Sequence, residues 1–107
     1  MKRLLSVLTA VAIAAAALAI PAMAATKTIT VGDNFFKPAS VTVTKGTTVK
    51  WVWKGKVAHN VTVKSGPVKF KSATMPKGTF SRKLTRTGTY AIVCTIHPGM
   101  KMTLKVR

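Results

Sequence analysis

The sequence predicts an all-β fold, a small sandwich of two sheets. Three observations predict it. Strand-forming residues alternate apolar and polar, turn signals recur about every ten residues, and no segment carries apolar residues at a convincing helical period. The turn signals are Gly32-Asp33-Asn34, Lys45-Gly46, Lys54-Gly55, Ser65-Gly66-Pro67, Pro76-Lys77-Gly78 and Thr87-Gly88. Each pairs glycine or proline with a residue that tolerates a tight backbone, so each ends one strand and starts the next.

The strands between these turns are read by parity, because successive side chains of a strand point to opposite faces. Ile29 and Val31 share a face, as do Val41 and Val43, with threonines opposite. Val49, Trp51 and Trp53 form the next apolar face, then Val61 and Val63, then Phe80 and Leu84 with Arg82 as an unexpected polar member. Tyr90, Ile92 and Cys94 follow. The last segment is the clearest, with Met100, Met102, Leu104 and Val106 inward and Lys101, Thr103, Lys105 and Arg107 outward. Two sheets packed on these faces make a small sandwich.

Ahead of the strands, residues 1–24 read as a cleaved export signal. Lys2 and Arg3 form a positive start, Leu4 to Ile20 an apolar Ala-rich run, Pro21 a break, and Ala22-Met23-Ala24 a small-x-small processing site. An uncleaved anchor is the competing reading of that run. The functional domain is then residues 25–107, in an exported, most simply periplasmic, protein. No repeat, low-complexity run or linker divides it.

Composition excludes most enzymes. The 107 residues hold 18 Lys and Arg against one acid, Asp33, with two His, one Cys and a net charge of +17. One acid cannot make a carboxylate pair or an all-carboxylate calcium site. One Cys cannot make a disulfide framework or a Cys-rich zinc site. A lone thiol in an oxidising compartment is either an inert core residue or one held by a metal.

The chemistry-bearing stretch is Cys94-Thr95-Ile96-His97-Pro98-Gly99-Met100, in a loop between two strands. The other histidine of the domain, His59, follows the Trp51–Trp53 strand. Taken singly, Cys94 and Met100 read as core, His59 as a rim residue and His97-Pro98 as a turn. Together, two His, one Cys and one Met are the donor set of blue-copper sites, a trigonal His₂Cys group with a weak axial thioether. Thiolate and imidazole bind both oxidation states of copper, and donors on one tight loop and its neighbour rearrange little between them. The axial donor is Met100 by the shorter spacing or Met102 by the longer. Met100 is favoured because residues 102–107 then remain a full final strand.

With those residues in place, the domain resembles a small cupredoxin of the plastocyanin/amicyanin kind over nearly all its length. The matching pieces are Asp33-Asn34-Phe35-Phe36-Lys37-Pro38, Val41-x-Val43 with Lys45-Gly46-Thr47, Val49-Lys50-Trp51, His59-Asn60-Val61, Gly78-Thr79-Phe80-Ser81, Gly88-Thr89-Tyr90 and the Cys94–Met100 loop. The resemblance implies a Greek-key sandwich of about seven to eight strands. It also implies one copper ion on His59, Cys94, His97 and Met100, with Asn60 tying the two loops together near the thiolate. By the same resemblance His97 reaches the surface through an apolar docking patch, for which Pro38, Met75, Pro98 and Gly99 are candidates. Met102, Ile92 and Trp53 depart from residues common in the family at those places.

The function implied is one-electron transfer between larger redox proteins by a monomer that is not itself an enzyme. The positive charge suits partners with acidic docking surfaces, or peripheral contact with an anionic membrane or wall. Nothing resembles a nucleic-acid-binding module. The rival readings are a copper storage or delivery protein, and a basic module for anionic surfaces in which Cys94 and the histidines are incidental.

Overall fold

The computed structural model describes residues 25–107, and the predicted export segment 1–24 lies outside the described residues. Eight strands follow one another without a helix among the described residues: β1 (Thr26–Gly32), β2 (Phe35–Lys37), β3 (Ser40–Val43), β4 (Thr48–Trp53), β5 (Thr62–Ser65), β6 (Thr79–Lys83), β7 (Gly88–Val93) and β8 (Lys101–Val106). They form two four-stranded sheets, ordered β2-β1-β4-β6 and β3-β8-β7-β5.

Each anticipated turn signal falls at or beside a strand end. Asp33 and Asn34 make the two-residue turn between β1 and β2, closed by the Gly32–Phe35 pair, with Asn34 at φ 72°. Asparagine tolerates that left-handed conformation better than most residues with a side chain. After β2 the chain passes to the other sheet, where β3 runs parallel to β8, while β1 runs parallel to β4. The remaining pairings are antiparallel. Each sheet thus joins strands distant in sequence, which no local turn signal announces.

The parity reading matches the core. Ile29, Val31, Val49, Trp51, Trp53, Val61, Val63, Leu84, Tyr90, Ile92, Cys94, Met100, Met102, Leu104 and Val106 are all buried between the sheets. Phe70 joins them from the segment linking β5 to β6, and its ring is 6.0 Å from that of Trp51 and 6.2 Å from that of Tyr90. This explains Arg82. It lies on the edge strand β6 with its guanidinium carbon 5.0 Å from the centre of the Phe70 ring. Phe70 fills the interior at that edge, and the arginine covers it from outside with its charge in water.

Candidate metal centre

The site forms where three connections meet at one end of the sandwich: the β1–β2 turn, the β4–β5 loop and the β7–β8 loop. Cys94 directly follows β7 on the same inward face as Tyr90 and Ile92, so strand parity buries its thiol. The loop then doubles back. The Cys94 N–H donates to the Met100 carbonyl at 3.0 Å and the Met100 N–H to the His97 carbonyl at 3.1 Å. Gly99 sits at φ 86° in open space, so the turn needs its backbone freedom rather than its small size.

His59 reaches the same place from the loop between β4 and β5. It is fully buried, and its backbone exchanges two hydrogen bonds of 3.0 Å with Met75. Its carbonyl also accepts the Trp53 indole N–H at 3.2 Å. Trp53 therefore serves the site by holding the His59 backbone.

Donor atoms of His59, Cys94 and His97 all lie within 4.8 Å of one another. His59 Nδ1 faces His97 Nδ1 at 3.1 Å, and Cys94 Sγ is 3.5 Å from His97 Nδ1. His59 and Cys94 are buried, and His97 is half-buried at the rim. Two imidazoles and a thiol converging on one point, without a carboxylate among them, fit a His₂Cys copper site.

Asn60 links the loops. Its backbone N–H points at Cys94 Sγ at 3.4 Å. Its side-chain amide donates to Thr95 Oγ1 at 2.8 Å and Thr74 Oγ1 at 3.0 Å, and its Oδ1 accepts from the Thr95 N–H at 3.1 Å and the Thr62 hydroxyl at 2.8 Å. A donor aimed at the sulfur stabilises thiolate charge and lowers its covalency toward a metal.

The two methionines differ in surroundings. Met100 closes the ligand loop and is buried, whereas the Met102 sulfur accepts the Trp51 indole N–H at 3.4 Å inside the core. Of the patch residues, Pro98 and Gly99 are exposed on the ligand loop and Met75 is half-buried beside His59. Pro38 lies in the turn between β2 and β3, outside the ligand loops. Exposed Ile96 and Val57 flank the site on its two loops and were not singled out by their sequence positions.

The largest omission of the sequence reading is Asp33. Its Oδ1 meets His59 Nε2 at 2.9 Å, while its two oxygens accept the Lys56 N–H at 3.0 Å each and Oδ1 also accepts the Val57 N–H at 3.2 Å. The hydrogen bond with His59, then those from Lys56 and Val57, hold its carboxyl down at about 2 instead of the ordinary 3.8. The available signal was its solitude, one carboxylate among 18 cationic side chains.

Known proteins bear on this geometry directly. A family model described as copper binding proteins of the plastocyanin/azurin family matches residues 23–107. Amicyanin-alpha of Methylorubrum extorquens is 37% identical over 70 residues, which are 62% of this chain and 59% of that protein. A solved amicyanin variant in its reduced Cu(I) form at pH 4 superimposes with a TM-score of 0.68 at 26% identity, over 85% of this chain and 89% of that one. Two further structures share the fold: a purple cupredoxin from Nitrosopumilus maritimus (TM-score 0.69, 21% identity, 76% and 99% covered) and a copper-containing nitrite reductase from Thermus scotoductus (0.70, 24%, 82% and 23%). The sandwich is therefore cupredoxin-like, as the resemblance implied, and a single type 1 copper ion is the cofactor that the His59, Cys94 and His97 cluster fits. This chain belongs to the plastocyanin/azurin family of copper binding proteins.

Proposed function

We propose that this protein is an exported, monomeric electron carrier that passes one electron at a time between larger redox proteins. The observation that carries the proposal is the convergence of His59, Cys94 and His97 within 4.8 Å in a chain of a copper-binding family. When bound, copper supplies the one-electron Cu(II)/Cu(I) couple. His59, Cys94 and His97 would hold the ion, and Met100 would supply a further thioether donor. Engagement of the Met102 sulfur by Trp51 supports Met100 over Met102.

The protein's own residues supply rigidity and access. Backbone bonds pin Cys94 to Met100 and His59 to Met75, so the donors are held at fixed separation whatever charge sits between them. Little rearrangement means a low barrier to electron exchange. Half-buried His97, with exposed Ile96, Pro98 and Gly99 beside it, is the exit for the electron at the docking face. Carriage rather than turnover is supported by the acid–base inventory: the sole carboxylate is bound to His59 and two backbone amides. The excess of Lys and Arg favours partners with acidic docking surfaces. The leader-like segment before residue 25 supports export to the periplasm.

Titration with Cu(II), followed by visible spectroscopy, tests this. One equivalent gives an intense blue thiolate-to-copper band that reductant bleaches and Cys94→Ser lacks. A protein that stays colourless overturns the proposal.

A further inference from the structure

We propose that Asp33 is the positioning residue for His59, holding the imidazole as its Nε2–H tautomer so that Nδ1 is the donor turned toward Cys94 and His97. The proposal rests on the copper-carrier reading and names a residue outside its ligand set.

The geometry leaves the His59 ring few choices. Nε2 lies 2.9 Å from Asp33 Oδ1 and Nδ1 lies 3.1 Å from His97 Nδ1, so one ring nitrogen faces a carboxylate and the other faces the cluster. A carboxylate can only accept, which places the ring proton on Nε2 and the lone pair on Nδ1. Asp33 is itself fixed. The backbone N–H groups of Lys56 and Val57 grip its oxygens, and these residues belong to the loop that leads into His59. The same carboxylate thus orients the ring and the backbone that carries it.

Gly55 completes the arrangement. A Cβ built there would run into the Asp33 carboxylate and stand 2.9 Å from its backbone nitrogen, so a side chain at position 55 forces Asp33 or its own loop to shift. Gly55 does not have the left-handed backbone that would explain a glycine by conformation. Its smallness is what Asp33 requires. The turn residue and the acid, 22 positions apart, form one device.

Three variants separate position from charge: Asp33→Asn keeps shape and an acceptor oxygen without charge, Asp33→Ala removes both, and Gly55→Ala keeps the charge but moves it. The ¹⁵N shifts of the His59 ring in the copper-free protein read the tautomer. Chelator competition reads Cu(II) affinity, and redox titration reads the potential. Expected are an Nε2–H tautomer in the wild type and in Asp33→Asn, and a mixture in Asp33→Ala and Gly55→Ala. The last two lose about ten- to a hundred-fold in Cu(II) affinity. Asp33→Asn raises the potential, because Cu(II) loses more than Cu(I) when a negative charge goes, by about 59 mV for each tenfold difference.

A wild-type His59 protonated at Nδ1 overturns the inference whatever the variants do. So do an unchanged tautomer and unchanged affinity in folded Asp33→Ala or Gly55→Ala. If Asp33→Ala does not fold, Gly55→Ala and Asp33→Asn carry the comparison. A wild type that stays colourless with Cu(II) overturns the electron-carrier reading and this inference with it, whereas a blue wild type with an indifferent Asp33 overturns this inference alone.

Discussion

Met100 and Met102 stand two positions apart on one inward face, yet only the Met102 sulfur is engaged by the core. The Met102 sulfur receives the N–H of Trp51, a fully buried indole with no water to turn to. Met102→Leu therefore strands a buried donor, and we expect a loss of about 1–3 kcal/mol in stability. The blue spectrum should barely change. Met100→Leu is the converse: the loop's backbone bonds survive, the protein melts near the wild-type temperature, and the absorption and potential shift. Thermal melts and spectra of the two variants check this, and a larger spectral change from Met102→Leu would reverse the assignment. At the same scale, Asp33 makes the copper-free protein acid-sensitive. Its folded pKa is depressed from 3.8 to about 2, so its contribution is present above about pH 4 and is lost as pH falls toward 2. Denaturation at a series of pH values should show stability falling through that window, and Asp33→Asn should flatten the fall.

At the scale of single strands, parity was legible almost throughout. β8 reads exposed-buried from Lys101 to Val106 without a break, and β4 buries Val49, Trp51 and Trp53 as their spacing predicts. Alternation works there because each sheet has one wet and one dry face. It was weaker for β6, an edge strand, where Phe70 supplies the packing that Arg82 does not. The three donors that cluster were also legible, because Cys94 and His97 are local and only two histidines exist in the chain. Asp33 and Trp53 were not, since each acts across a fold-made contact with His59 and carries no local spacing signal. Strand position also sets the cost of damage. Leu104 is fully buried on β8, which lies between β3 and β7, so Leu104→Ala should cost about 2–5 kcal/mol. Exposed Lys105→Ala on the same strand should stay within about 0.5 kcal/mol. Chemical denaturation of both variants measures the contrast.

Across the whole molecule, charge and topology were unequally readable. The parallel pairings of β1 with β4 and of β3 with β8 depend on how distant strands meet, and neither turn signals nor strand parity pointed to them. The charge was plain from the outset. Among the described residues the one carboxylate is spent on His59, so no Lys or Arg side chain there has an acidic side-chain partner. Such a surface attracts anions from all sides, within a range of roughly 8 Å at physiological salt. The rate of electron exchange with an acidic redox protein should fall steeply as ionic strength rises, while exchange with a cationic one should rise or stay flat. Stopped-flow kinetics over a salt series separates the two, and a flat response to salt with the acidic partner would assign the charge to solubility alone.

The position of β8 in the middle of its sheet has a consequence for biosynthesis. Cys94, His97 and Met100 come late in the sequence, and the strand that follows them must slot between two strands already made. A nascent or truncated copy that stops before Met100 holds a thiol with no roof, a lone histidine loop and a sheet split down its centre. Copper then has no preformed cradle in an unfinished molecule. We expect a chain cut before β8 to give no blue band on Cu(II) titration, whereas the chain that includes β8 gives one.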